Sequence, residues 1–219
     1  MNVKQRFPGV FQIDGRNATK NMVIGTNVYG ERLIKEKEAE YRLWDPRRSK
    51  LSAAIVKGLR ECPIRPGQKV MYLGAANGTT ASHVSDIVGT NGTVYCVEFS
   101  PYSMRDLLRV CEKRGNMLPI LADARMPEKY ADAVDTVDVV YADVADREQT
   151  AIVLRNAKQF NAPTLAIAIK ARCIDSSKPP RVIFAAERDK ISKEMQVTEQ
   201  VILDPFEKDH CFIVAKRRQ

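Results

Sequence analysis

Apolar residues recur along this chain in two rhythms. From residue 69 onward, short runs nearly continuous in Val, Ile, Leu and Ala have the length and β-branched content of strands: "KVMYLG", "TVYCVEF", "MLPILAD", "VDVVYADV", "TLAIAIKA", "VTEQVILD" and "HCFIVAKR". Between most of them stand segments with helical spacing, "TTASHVSDIVG", "PYSMRDLLRVCEKR", "REQTAIVLRNAKQF" and "PRVIFAAERDKISKEM". Runs that are apolar at successive positions suit a sheet covered on both faces. Their alternation with helices predicts an α/β fold built on a doubly wound, mostly parallel sheet. The last two runs follow one another through "PFEKD" with no helix between them, so they are expected to pair antiparallel.

Upstream the rhythm differs. Residues 1–45 break into short pieces that read as extended, "GVFQID", "NMVIGTNVYG" and "ERLIKEKEAEYRLW", separated by Gly15, Asn17, Gly25 and Gly30 as hairpins require. They predict a small N-terminal β domain ahead of a larger domain over 46–219. A few hairpins alone are marginal in water, so this piece is expected to pack on the larger body or on a partner. In "DPRRSKLSAAIVKGLREC", Leu51, Ala54, Ile55 and Leu59 fall on one face of a predicted helix, which "PIRPGQ" closes.

With 219 residues, 44% of them hydrophobic, the chain can fill a real core. No apolar run approaches the ~20 residues that cross a bilayer, and "MNVKQRFPGV" lacks the apolar middle of a signal peptide, so a soluble, cytoplasmic protein is expected. The five cysteines, Cys62, Cys96, Cys111, Cys173 and Cys211, are odd in number and scattered, with no CxxC pair; they read as reduced core residues, and no metal site is expected. Charge is uneven. Residues 1–60 hold 13 Lys and Arg against 6 Asp and Glu, so seven of the eight net positive charges lie there. A basic end attracts phosphate backbones, although solvated surface lysines would give the same count.

The stretch "LGAANGTT" places small residues in the first strand-to-helix turn, where ligands of open α/β sheets sit. Gly74 permits a tight turn, Ala75 and Ala76 present almost no side chain, Gly78 allows positive φ, and Thr79 and Thr80 offer hydroxyls at the helix start. Glu98 closes the next strand, near the ~20-residue offset at which an acid takes ribose hydroxyls. A dinucleotide fingerprint is broken by Ala76 and Thr79, and no G-x-x-x-x-G-K-[ST] is present. A ligand with adenosine and ribose but no phosphate fits better, and S-adenosylmethionine is the common one. Asp123 and Ala124 end the third strand, where an adenine amino group can be recognised. Asp143 ends the fourth inside an apolar run, a costly place for a carboxylate without a task, unless it caps the next helix.

Taken together, "EYRLWDPRRSKLSAAI", "YLGAANGTTASHVSDIVG", "YCVEFSPYSMRDLL", "ADAR", "YADVA", "IAIKARCIDS" and "FEKDHCFIVAK" resemble the fibrillarin family in its archaeal form, across nearly the whole chain. The resemblance implies a class I, Rossmann-like, S-adenosylmethionine-dependent methyltransferase with a seven-stranded sheet, its last strand antiparallel, plus a small N-terminal β domain. It implies methyl transfer to the ribose 2′-hydroxyl of ribosomal or transfer RNA directed by a C/D-box guide RNA. The implied partners are a Nop-family scaffold and a kink-turn-binding ribosomal-type protein. Cofactor contacts carry over onto Thr79, Thr80, Glu98, Phe99, Asp123, Ala124, Asp143, Val144, Ala145 and Asp146, the last standing where the family usually has Gln. A Lys-Asp-Lys-His constellation maps onto Lys50, Asp143, Lys170 and His210. An adjacent Asp143 favours the ammonium form of Lys170, which suits it to orient and polarise a hydroxyl. Lys50 is expected to hold a phosphate or complete the pocket, and His210 to relay a proton. Each has a plainer alternative: Lys50 as a solvated charge, His210 as the start of a strand. His83 reads as structural, and Trp44 and Tyr41 as packing or partner contacts. Rival functions are a protein glutamine methyltransferase and a noncatalytic scaffold of an RNA complex.

Overall fold

The computed structural model describes residues 2–218. Its larger sheet is built from β6 (Lys69–Leu73), β7 (Thr93–Glu98), β8 (Met117–Leu121), β9 (Val139–Ala142), β10 (Thr164–Lys170), β11 (Gln196–Ile202) and β12 (His210–Lys216). The order is β11-β12-β10-β9-β6-β7-β8, parallel except for β12, which runs antiparallel to both neighbours. Helices α2 (Thr79–Val88), α3 (Pro101–Glu112), α4 (Gln149–Gln159) and α6 (Pro180–Glu194) supply the crossovers. Two apolar layers result, one holding Leu51, Val70, Val84 and Phe212, the other Met71, Val140, Ile152 and Ile213. Alternate residues of each strand feed opposite layers, which is why the strands are apolar at successive positions.

The chain runs β6, β7, β8 outward to one edge and returns to place β9 on the other side of β6. That reversal opens a crevice beyond the carboxyl ends of β6 and β9, the place where open α/β sheets bind ligands.

The N-terminal residues form a five-stranded antiparallel sheet of β1 (Val3–Phe7), β2 (Val10–Ile13), β3 (Arg16–Lys20), β4 (Leu33–Glu36) and β5 (Ala39–Leu43), ordered β1-β2-β3-β5-β4. Two of these strands are absent from the sequence reading, and one predicted extended piece is a loop. In β3, Asn17, Ala18 and Thr19 are all buried, because both faces are covered; the period-two signal is lost. Residues 21–30 form no strand because side chains satisfy their backbone donors. The Met22 N–H donates to Asp86 (3.1 Å), Gly25 to Glu40 (2.8 Å) and Tyr29 to Glu31 (2.8 Å). The predicted helix near residue 51 is α1 (Lys50–Val56), capped by Ser49; Leu59 is buried but lies beyond it, past Gly58 at φ +101°. A short α5 (Ala171–Ile174) was not expected and carries Cys173 into solvent, unlike the buried Cys62, Cys96 and Cys211. No helix among the described residues is long and apolar enough to cross a membrane.

The small sheet is fastened to α2 by buried polar groups rather than by apolar contact alone. Arg42 on β5, fully buried, donates to Glu31 (2.6 Å) and to Asp86 on α2 (2.8 Å), and Asp86 also receives Arg114 (2.6 Å). His83, one turn earlier on α2, stacks on Trp44 with centroids 4.9 Å apart. The Thr19 hydroxyl donates to Asp86, so it accepts from His83 Nδ1–H (2.8 Å) and leaves Nε2 to accept from the Tyr29 hydroxyl (2.8 Å). Both ring nitrogens are satisfied in the neutral form. His83 is therefore structural, and Trp44 is a packing residue.

Burial, reinforced by Arg42 and Arg114, pushes the His83 pKa well below its ordinary 6.5. The unfolded chain then binds a proton that the folded chain refuses. Stability is expected to be full above about pH 6.5 and to fall on acidification below it, by up to about 1.4 kcal/mol per pH unit. Urea unfolding between pH 7.5 and 5.5 measures this arm, and His83→Gln should flatten it. An equally steep arm in the variant would assign the loss to other groups.

Candidate active site

Two turns meet at the crevice. Gly74, after β6, has φ +78°, and a Cβ there would lie 2.9 Å from the Asp143 carbonyl oxygen after β9. Only glycine lets these backbones approach. The Asp143 N–H donates to Leu73 O (3.0 Å), while the N–H groups of Gly74 and Ala75 both donate to Val97 O at the end of β7. The carboxyl ends of three strands are thereby knitted into one floor.

Above that floor lies a cavity of about 310 Å³ whose walls include Gly74, Ala76, Glu98, Phe99, Asp123, Ala124, Asp143, Val144, Ala145, Asp146 and Lys170. Such a volume is at the lower end for small-molecule sites. Glu98 is buried and already bound: Oε2 accepts from Ala76 N–H (2.8 Å) and Oε1 from Ser100 N–H (2.9 Å). A carboxylate has about four acceptor positions, so two remain for hydroxyls. Phe99, 74% exposed, lines the cavity with an apolar ring. The Arg125 guanidinium, which grips Asp123 at 2.7 Å, holds that carboxyl below the usual carboxylate range. Asn156 of α4 braces the same turn by donating to Ala124 O (2.8 Å).

At the other wall Asp143 sits between two ammonium groups. Lys170 Nζ is 2.8 Å from Oδ1 and donates to the Asp143 carbonyl oxygen (2.9 Å). Lys50 Nζ is 3.2 Å from Oδ2 and 3.6 Å from Glu207 Oε1. Oδ1 is buried and, despite the nearby lysine, accepts no well-directed hydrogen bond. Its partner is the Lys170 ammonium, met as an ion pair. The helix-cap alternative for Asp143 is not realised: no side chain caps α4, and Asp146 makes a turn bond just ahead of it, accepting the Glu148 N–H at 2.7 Å. His210 pairs with Lys170 across the β10–β12 ladder, and its Nδ1 lies 2.6 Å from the Lys208 carbonyl. A neutral ring then carries its proton on Nδ1 and leaves Nε2 as acceptor.

Not every expected residue reaches the cavity. Ala75 is buried in the core beneath the turn, and Thr80 is buried in α2. Thr79 turns its hydroxyl to Asn77 (3.0 Å). None of the three forms part of the wall: Ala75 and Thr80 are taken up in packing, and Thr79, half-buried, faces Asn77.

Three side chains that matter here were missed. Glu207 reaches Lys50 from the "PFEKD" turn, but no spacing rule joins it to a residue so far back in the chain. Arg125 adjoins Asp123 in "DAR" and was legible as a charge partner. Gln149, fully buried, donates to Asp146 O (2.9 Å) and accepts from Lys170 N–H (2.8 Å), tying the β9 turn to the end of β10. A buried amide in a helix's first turn was its only signal.

The residues present fit an adenosyl ligand without phosphate. The glycine cradle is closed to any Cβ, the ribose-side carboxylate keeps free acceptor positions, and no P-loop is present. Together with the sheet order, this defines a class I, S-adenosylmethionine-dependent methyltransferase fold carrying a small antiparallel sheet at its N-terminus. A model of the Fibrillarin family matches residues 1–219, and the chain belongs to that family. It is 48% identical over 225 residues to the fibrillarin-like rRNA/tRNA 2′-O-methyltransferase of Thermococcus sibiricus, covering 99% of this chain and all of that protein. Aeropyrum pernix fibrillarin, solved with natively bound S-adenosyl-L-methionine, superposes with a TM-score of 0.89 at 47% identity, over 98% of both chains. A fibrillarin solved in complex with Nop5p gives 0.91 at 37% identity, over 98% of this chain and all of that one.

Proposed function

We propose that this protein transfers a methyl group from S-adenosylmethionine to the ribose 2′-hydroxyl of ribosomal RNA, and of transfer RNA, at positions chosen by a C/D-box guide RNA. It works as the catalytic subunit of a particle with a Nop-family scaffold and a kink-turn-binding protein. The observation that carries the reading is Asp143 held between Lys50 and Lys170 at the wall of the adenosyl-sized cavity. The name of the Thermococcus sibiricus relative, the cofactor in the Aeropyrum pernix structure and the Nop5p complex support it.

Bound S-adenosylmethionine supplies an electrophilic methyl group on a positively charged sulfur. The chain's own part is alignment and proton handling. Lys170, held by Asp143 at two oxygens, keeps an ammonium at the wall and orients the incoming hydroxyl. Lys50, shared between Asp143 and Glu207, holds Asp143 in place. Asp143 positions Lys170 through the buried Oδ1, and His210 Nε2 accepts the proton that the hydroxyl gives up. Glu98 holds ribose hydroxyls on the opposite wall.

Reconstitution with guide RNA, partner proteins and tritiated cofactor tests this. Label is expected in the guide-paired nucleotide only, and a single 2′-deoxy substitution there should abolish it. Equal labelling of unguided RNA, or label in the protein fraction alone, would reject the reading.

A further inference from the structure

A second concavity, about 570 Å³, opens between the small sheet and α1 on the far side of the Asp45–Arg48 turn. Its floor carries Tyr29 and Trp44, and its rim carries Arg16, Arg32, Arg47 and Arg48. All four guanidiniums are exposed, and among the described residues none has a carboxylate within ion-pairing distance or an acceptor for its side-chain N–H groups. Of the two acids in the lining, Glu31 is paired with Arg42, and Asp45 accepts the Arg47 backbone N–H (2.8 Å), so four guanidiniums face a single carboxylate not already paired with a cation. Aromatic rings hold two of the arginines instead. Arg48 lies over Tyr29 at 5.2 Å and Arg47 over Phe206 at 5.9 Å. Stacking fixes the plane of a guanidinium while leaving its edge donors free, the arrangement that grips phosphate bidentately.

A second basic depression, along the edge strand β11, holds Lys57, Arg60, Arg181 and Arg188, but its Arg60 pairs with Glu199 and no aromatic ring lines it. The groove at Arg47 and Arg48 also adjoins the chemistry. Arg48 stands two residues before Lys50, less than about 8 Å of Cα path. Phe206 under Arg47 immediately precedes Glu207, the other partner of Lys50.

We infer that this groove binds the phosphodiester backbone of the target-bearing RNA strand beside the nucleotide to be methylated, with Arg16, Arg32, Arg47 and Arg48 as its phosphate contacts. The inference rests on the proposed RNA-directed activity and names where the substrate strand lies. The target strand is the occupant because Arg47 and Arg48 immediately precede, in the chain, the lysine that pairs with Asp143, where the target ribose must arrive; the guide strand pairs to it from outside.

The test measures binding of fluorescent target RNA to the assembled particle at several salt concentrations, with neutral methylphosphonate linkages placed singly within a few nucleotides of the target. In the unaltered particle, one such linkage in the target strand should weaken binding roughly tenfold. In particles carrying Arg47→Ala or Arg48→Ala, the same linkage should have no further effect, and the log-log salt slope should shrink by about 0.7–0.9 per lost contact. Cofactor uptake by calorimetry, unchanged, shows that the variants fold. The proposal is overturned if the coupled linkage lies in the guide strand, if no linkage couples, or if the variants lose the scaffold protein with the salt slope intact. A particle that shows the coupling yet transfers no methyl group would sink the activity reading and leave the groove standing.

Discussion

Asp86→Asn is expected to cost about 3–5 kcal/mol of unfolding free energy, as removal of one member of a buried ion cluster does. The side chain is fully excluded from solvent and accepts from Arg42, Arg114, Thr19 and the Met22 backbone. Asparagine has nearly the same shape, so the loss is electrostatic and not steric. Arg42 would keep Glu31 and the Ser82 hydroxyl, but Arg114 would lose its one carboxylate while remaining buried, so desolvation of that cation would no longer be offset. Glu199→Gln, at an ion pair whose arginine is 78% exposed, is the contrast and should change stability by less than about 1 kcal/mol. Denaturant midpoints for the two variants at pH 7.5 check the pair. Similar small losses in both would mean that the cluster relaxes or admits water, and that apolar contacts hold the small sheet on α2.

Lys170→Ala is expected to lower guided methyl transfer by about 10²–10⁴-fold, the range for loss of a positioned polar group that acts on the reacting proton, while cofactor affinity stays within about twofold. The selectivity follows from where its contacts go. The ammonium touches Asp143 alone, and Asp143 keeps Lys50 at 3.2 Å, so truncation leaves no bare buried charge. The backbone N–H of residue 170 still meets Gln149, so the β10 terminus stays in register. Arginine should not rescue, because its planar fork cannot occupy a point-charge site between a carboxylate and a carbonyl. Single-turnover transfer and calorimetry on the same particle separate the two effects. An unchanged rate would remove Lys170 from the chemistry.

Several site residues were legible because each stands at a strand's carboxyl end, where a polar group interrupts an apolar run: Glu98, Asp123, Asp143 and Lys170 all occupy such positions. Residues whose importance comes from partners distant in sequence were not legible. Glu207 looks like any turn acid until the chain brings Lys50 beside it, and Gln149 like any helical amide until β10 packs against α4. Thr79 and Thr80 differ from these. Their hydroxyls at a glycine-rich helix start suggest ligand contact, whereas in the fold Thr79 donates to Asn77 and Thr80 is buried in α2.

The sequence alone determined the alternation of strands and helices, because burial on both faces of a sheet demands uninterrupted apolar runs that local composition displays. It also determined which turn had to be small, since Gly74 is the residue that can sit against Asp143. Tertiary structure decided the rest. The hairpins of the small sheet, the route of residues 21–30 and the arginine groove depend on which distant carboxylates claim which donors. Such pairing energies act only between groups the fold has already brought within a few ångströms, so no local pattern records them.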